Sequence, residues 1–255
     1  MLQEERQNKI LGILNKEKSV ITSDLSSKLN VSKDTVRRDL RTLEKKGFLT
    51  KVHSGAIRKA PPIYDFDQRK NINLNEKKTI AKKTLPLIKN NSTILIDAGT
   101  TNLALIKQLP NNFQATVITN NLAISTALAY YPNIEAYTLG GKLYKQSMIN
   151  TGELTISELQ NIRADIYITG IYGIDKKSGL SVPTFDEAII KKQMIADSKE
   201  IVAMITHEKF NTVSHNIIAP INCLDYIVTN NKIINKNSEN NLKDYKSINS
   251  SEKNL

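Results

Sequence analysis

The sequence predicts an α/β protein in two parts, an N-terminal winged helix-turn-helix followed by a mostly parallel α/β domain. Three observations carry that reading. Residues 1–60 hold 14 Lys and Arg against 7 Asp and Glu, so most of the formal charge of +11 sits in the first quarter of the 255-residue chain. Residues 32–41, Ser-Lys-Asp-Thr-Val-Arg-Arg-Asp-Leu-Arg, set a comb of arginines on one side of a short helix. From residue 92 onward, β-rich runs alternate with helical segments, and each run ends in small or polar residues.

Residues 2–17 place Ile10, Leu11, Ile13 and Leu14 at helical spacing. Val20-Ile21 interrupts the polar run, and Thr22 or Ser23 caps a second helix through Leu29. Asn30-Val31 forms a tight turn, Ser32 caps the third helix, and Lys45-Lys46-Gly47 ends it with cations and a glycine. At about 100° per residue, Val36, Leu40 and Leu43 share one face, and Asp34, Arg37, Arg38 and Arg41 share the other. Alone, that charged face reads as well as an ordinary solvated surface. The turn before it and the basic hairpin after it (48–52 with 56–58, around His53-Ser54-Gly55) make it a recognition helix. Ser32, Thr35, Arg37, Arg38 and Arg41 are therefore the candidate DNA-binding residues, and the first domain spans 1–58.

Ala60-Pro61-Pro62 marks a boundary, because neither proline continues a helix or a central strand. Residues 59–75 read as a linker leading into a Lys-rich helix at 76–88. Strands follow at 93–96, 115–119, 134–139, 165–169, 200–205 and 224–229, with helices between 100 and 109, up to 130, and over 185–197. The second domain spans 76–234, and the polar residues 235–255 read as a disordered tail.

Ligands of open α/β sheets gather outside the carboxyl ends of the strands. Asp97-Ala98-Gly99-Thr100-Thr101 opens a helix there, where backbone N–H groups and two hydroxyls favour an anion. The same five residues serve equally as a plain helix cap. Asn120, Gly140, Gly141 and Gly170 fall at the same rim, and Lys209 adds a cation, although a solvated loop lysine explains it as well. Glu187 at a helix start is explained by the helix dipole alone. His53, His207 and His215 are too scattered for metal-ligand spacing, and no Ser/His/Asp or Cys/His arrangement assembles. No cofactor, metal or catalytic residue is expected. Cys223, the single cysteine, sits in an apolar run and reads as a buried structural thiol. The charged N-terminus excludes a signal peptide and no run reaches membrane-spanning length, so the protein is expected in the cytoplasm, away from membranes.

With these residues in place the chain resembles the DeoR family of transcriptional regulators. That family's signature is met by Arg6, Ile10 and Leu14, a gap of seventeen, and then Ser32, Thr35, Val36, Arg37, Arg38, Asp39 and Leu40. The stretch LEKKGFLTKVHSGA is similar to the family's wing. DAGTT (97–101), TNN (119–121), LGG (139–141), GLSVPTFDEA (179–188) and EKF (208–210) resemble its sensor domain, which is similar in fold to ribose-5-phosphate isomerase.

The resemblance implies a non-enzymatic repressor of carbohydrate-metabolism genes, a homo-oligomer (dimer or tetramer) on double-stranded operator DNA, modulated by a phosphorylated sugar. It makes Asp97, Gly99, Thr100, Thr101, Asn120, Gly141, Glu187 and Lys209 the effector-binding candidates. The alternatives are a sugar-phosphate isomerase with a DNA-binding appendage, or a regulator whose sensor domain has lost its ligand. The chain departs from the family at Ala98, where serine is frequent, at Thr206 and Asn230, where aspartate is usual, and at Ser54, where glycine is common.

Overall fold

The computed structural model describes residues 2–17, 19–45, 48–58 and 64–236, which divide into two compact units, 2–58 and 64–236.

In the first unit, α1 (Gln3–Glu17), β1 (Ser19–Ile21), α2 (Thr22–Leu29), α3 (Lys33–Lys45), β2 (Leu49–Val52) and β3 (Gly55–Arg58) follow in order. Ile10, Leu14, Leu25, Val36, Leu40 and Leu43 form its core with Val20, Leu49 and Ala56. The helical spacing of these residues in the sequence is thus the spacing of a buried seam. Asn30 ends α2 in the left-handed conformation at φ 51°, and Val31 N–H donates to Ser26 O at 3.1 Å. Asparagine tolerates that conformation better than most residues. The Ser32 hydroxyl accepts from Thr35 N–H at 3.1 Å, the N-cap expected for α3.

The two-stranded wing gains a third strand. Val20-Ile21, expected only as a break, forms β1 and pairs with β3 in a sheet of order β1-β3-β2. Gly55 permits this approach, because a Cβ there would lie 1.8 Å from Val20 O. Lys46 and Gly47, read as the end of α3, lie outside the described residues.

The second unit opens with α4 (Phe66–Asn71) and α5 (Leu74–Thr84). This corrects the linker reading of 59–75: Phe66 is buried in the core of the second unit, so 66–75 belongs to that folded unit. A short 3-10 turn at Leu85–Leu87 replaces the last turn expected of the helix to 88, where Pro86 lacks the N–H an α-helix needs.

The chain then runs β4 (Ser92–Ile96), α6 (Thr100–Ile106), β5 (Ala115–Thr119), α7 (Leu122–Leu128) and β6 (Ile134–Thr138). A hairpin of β7 (Lys142–Tyr144) and β8 (Ile149–Thr151) leads into α8 (Glu153–Leu159) and β9 (Ala164–Thr169). After these come β10 (Gly173–Asp175), β11 (Gly179–Val182), α9 (Phe185–Ala196), β12 (Ser198–Met204), β13 (Asn216–Ala219), β14 (Tyr226–Val228) and β15 (Ile233–Asn235).

The main sheet has the order β15-β14-β12-β9-β4-β5-β6. Every neighbouring pair is parallel except β14 with β15. Alternation along the strands divides the core in two. Ile94, Ile96, Ile166, Ile168, Val202 and Met204 face the layer containing α4, α5, α6 and α7. Leu95, Tyr167, Ile201 and Ala203 face α8, α9 and the small antiparallel sheet β10-β11-β13. The chain winds outward from β4 through β5 to β6, then returns to place β9 on the other side of β4. That reversal makes the carboxyl ends of β4 and β9 the switch point of the sheet, where ligands of such folds gather.

The small sheet and the β7–β8 hairpin were not legible as elements, because their strands of three or four residues are too short to show a period. Strand β15 occupies the start of the expected tail, and residues 237–255 lie outside the described residues. No helix among the described residues is long and apolar enough to cross a membrane.

Candidate functional site

On α3, Val36, Leu40 and Leu43 are buried while Arg37, Arg38 and Arg41 are exposed. The arginine comb is therefore free of the core, as its spacing predicts. Arg37 meets Asp34 at 2.9 Å, an exposed pair that costs little to break. Ser32 is exposed and its hydroxyl lies 2.9 Å from that of Thr35. Asp39 is different. It is buried and accepts from Arg6 Nε at 2.5 Å, Arg6 Nη2 at 3.2 Å and Gln7 Nε2 at 3.2 Å, which fastens α3 to α1. The Asp39 carboxylate in turn raises the Arg6 pKa. Both residues thus fasten α3 from its buried side and leave its arginine face untouched.

At the switch point, Asp97 follows β4 and is buried. Its Oδ1 accepts from Gly170 N–H at 2.7 Å and Asn102 Nδ2 at 3.1 Å. Its Oδ2 accepts from Tyr167 OH, Thr169 Oγ1 and Lys191 Nζ. Asp97 is fully engaged and holds together the loops after β4 and β9. Lys191, 1% exposed, also donates to Gly170 O at 2.6 Å and lies 3.6 Å from Glu187 Oε1, one turn earlier on α9. Burial pushes the Glu187 carboxyl upward, against the opposing pull of Lys191.

More cations converge on the same place. Arg69 of α4 is partly buried; its Nη2 reaches Ser147 Oγ at 3.5 Å, and its Nε is buried with no partner. Burial lowers its pKa, opposed first by Glu187. Lys77 of α5 is buried and donates to Arg69 O. Burial lowers it to about 8, with Lys209 the next contributor. Burial lowers Lys209 to about 8 as well, and it senses Glu208, Arg69, Lys191 and Asp97. These four cations lie among the carboxylates of Asp97, Glu187, Glu208 and Glu76, and among the described residues Arg69 and Lys209 form no ion pair, which leaves them able to receive an anion.

The first intrahelical bond of α6 runs from Leu103 N–H to Gly99 O at 2.9 Å, so the N–H groups of 100–102 precede the helical ladder. Thr101 is buried and Thr100 partly so. Asn120 donates to Asn150 O at 3.0 Å while its Oδ1 is buried without a partner. Gly141 is not joined to the cationic group. At φ +135°, a Cβ there would lie 2.3 Å from Thr155 Oγ1, so this glycine serves the packing of the β7–β8 hairpin. His207, read as isolated, comes together with Glu76 and Glu208, their ligating atoms within 4.8 Å of one another. Those atoms are tied internally, with His207 Nδ1 on Glu76 at 2.8 Å, and Asn73 and Thr206 on Glu208 at 2.9 and 2.7 Å.

Residues 6–61 match the DeoR-like helix-turn-helix domain, and residues 72–231 match the DeoR C terminal sensor domain. The chain belongs to the DeoR family.

Its relatives are named transcriptional regulators. It is 35% identical to HTH-type transcriptional regulator GolR of Listeria innocua, over 90% of this chain and 91% of that protein. It is 32% identical to HTH-type transcriptional repressor GlcR of Bacillus subtilis, over 90% and 89%. It is 30% identical to the glycerol-3-phosphate regulon repressor of Escherichia coli, over 90% and 91%. Among solved structures it is similar in fold to eIF2B beta from Chaetomium thermophilum, with a TM-score of 0.50, 13% identity, and coverage of 70% of this chain and 53% of that one.

Three members of the site were missed in this DeoR-family chain. Lys191 stands four residues after Glu187 within an otherwise apolar helix face, a spacing that signals a paired lysine. Arg69 and Lys77 lay in or beside the segment read as a linker, and only the burial of Phe66 turns that segment inward.

Proposed function

We propose that this chain is a repressor of carbohydrate-metabolism genes whose hold on double-stranded operator DNA is modulated by a phosphorylated sugar. The observation that carries this reading is the group of Arg69, Lys77, Lys191 and Lys209 at the carboxyl ends of β4 and β9, beside the threonines that open α6. Lys77 and Lys209, whose pKa values burial lowers, favour a ligand that brings negative charge. A sugar phosphate supplies that charge and hydroxyls for the neighbouring amides, among them the buried unpartnered Oδ1 atoms of Asn102 and Asn120. The names of GlcR and of the glycerol-3-phosphate regulon repressor support a carbohydrate setting.

In this reading Ser32 and Thr35 position α3 on DNA phosphates, and Arg37, Arg38 and Arg41 read base edges or neighbouring phosphates. Gly99, Thr100, Thr101, Asn120, Glu187 and Lys209 contact the effector, while Asp97 fixes the loops that carry them. The protein works in the cytoplasm as a homo-oligomer, without enzymatic turnover. Calorimetry and thermal unfolding against a panel of phosphorylated sugars test the reading. Saturable binding of one member, without its conversion, supports it. No binding across the panel favours a sensor domain that has lost its ligand, and turnover of any member favours an isomerase.

A further inference from the structure

Strand β6 is a bare edge of the main sheet. It pairs with β5 alone, and Glu135, Ala136, Tyr137 and Thr138 are all exposed, whereas β4, β5 and β9 are mostly buried. Leu139 N–H donates to Thr119 O at 2.8 Å, so by alternation Tyr137 and Glu135 also turn their main-chain groups toward β5. The N–H and C=O groups of Ala136 and Thr138 and the C=O of Ile134 therefore point outward, and they meet no partner among the described residues. Sheet edges are ordinarily guarded by lysine, proline, a bulge or brevity. The opposite edge is guarded: β15 has three residues, with Lys232 just before it and Lys236 just after it. Strand β6 runs five residues in unbroken register with β5 and holds neither lysine nor proline.

Resting on the reading of the chain as a homo-oligomer, we propose that β6 pairs antiparallel with β6 of a second copy across a two-fold axis at Ala136, joining two main sheets into one. The strand is complementary to itself in that register. Ala136 meets its counterpart as a hydrogen-bonded pair that exchanges both N–H···O bonds, and Thr138 N–H reaches the carbonyl of Ile134 in the other copy. Glu135 then stands opposite Tyr137 of the other copy, with Cβ atoms about 4.5–5.5 Å apart. These two side chains suit one another, since Tyr137 OH already donates to Glu135 Oε1 at 2.7 Å within the chain. The two Glu135 carboxylates thus face tyrosines and not each other. A strand of this length buries less than the roughly 800 Å² per partner of a stable interface. Exposed apolar side chains beside it supply more: Tyr137, Tyr130 shortly before the strand, and Leu154, whose Cδ2 would lie 3.0 Å from a Cβ on Gly140 shortly after it.

The test uses the full chain without DNA, read by sedimentation velocity and by hydrogen exchange at the amides of Ala136 and Thr138. Wild type should sediment as an assembly of an even number of chains, and its dissociation on dilution should expose both amides together. Ala136→Pro removes the N–H at the axis, and proline is tolerated where an edge N–H faces outward, so this variant should halve the mass of the assembly. Tyr137→Glu sets like charges opposite one another and should weaken association by about tenfold. Adding Glu135→Lys to it places opposite charges across the pair and should restore association. That reversal also keeps the test decisive where the proline variant fails to fold.

A single chain at every concentration overturns the pairing and the homo-oligomer reading together. An assembly whose mass survives both single variants overturns the pairing alone and leaves the oligomer standing. Failure of the charge reversal to rescue Tyr137→Glu overturns the register at Ala136. Slow exchange at Ala136 and Thr138 that persists in a monomer means that another part of the same chain covers the strand, and it overturns the pairing as well.

Discussion

Lys191 on α9 donates both to Asp97 Oδ2 and to the Gly170 carbonyl, so one buried ammonium ties together the ends of the two strands that flank the switch of the sheet. Asp97 was expected to meet an effector. Its two oxygens instead accept from five protein donors, and its role is to hold the loops on which the effector candidates ride.

Breaking that pair should be costly. Lys191→Met leaves a buried carboxylate short of its cation and should lower stability by about 3–5 kcal/mol, read as a fall in the urea midpoint of the sensor unit. The double variant with Asp97→Asn should lose less than the sum of the two single changes. An unchanged midpoint for Lys191→Met would contradict the role given to the pair.

Arg6 and Asp39 make a matching prediction for the first unit. Asp39→Ala leaves Arg6 without its carboxylate and loosens α3 from α1, for a loss of about 2–4 kcal/mol. Operator affinity should fall although every exposed arginine remains. Arg37→Ala should do the reverse, costing roughly 1–3 kcal/mol in operator binding with stability unchanged. Circular dichroism melts paired with a DNA titration separate the two.

How much of this was legible follows from period and from burial. The seam of Ile10, Leu14, Val36, Leu40 and Leu43 was readable because helical spacing repeats over several turns. Strands β4, β5, β9 and β12 were readable because each is five to seven β-rich residues bounded by turns. The β10-β11-β13 sheet was not, since three or four residues carry no period and its pairings are long-range. The site was legible only where a motif names it. Lys209 stood out in the sequence, but Arg69 sits in a polar stretch whose composition reads as solvent-exposed until Phe66 anchors it.

Gly55 offers a test of the third strand of the wing. An alanine Cβ would fall 1.8 Å from Val20 O, against backbone rather than a side chain that can swing away. Gly55→Ala should therefore separate β1 from β3 and lower the melting temperature of the first unit by several degrees, about 1–3 kcal/mol. A melt identical to wild type would contradict the pairing.

The buried lysines predict a pH dependence with a definite sign. Lys77 and Lys209 titrate at about 8 in the folded protein, facing Arg69, Lys191, Asp97, Glu76 and Glu208, and near 10.4 when unfolded. Below about 8 both states are protonated and the burial cost is fully present. Between about 8 and 10 the unfolded chain keeps protons the folded one has shed, so stability rises with pH, by at most about 1.4 kcal/mol per unit for each lysine. Tyr172, pushed up to about 12 by burial, opposes the trend above about pH 10. Urea unfolding at pH 7.5, 8.5 and 9.5 in phosphate-free buffer should show the rise, and Lys209→Met should flatten it.

The most direct test of the whole account is fluorescence anisotropy of the full chain on its operator, titrated with phosphorylated sugars. The account predicts that at least one sugar phosphate shifts operator affinity about tenfold or more, and that Lys209→Gln keeps the affinity but loses the shift. Operator binding that no sugar phosphate alters, or a shift that survives Lys209→Gln undiminished, would contradict it.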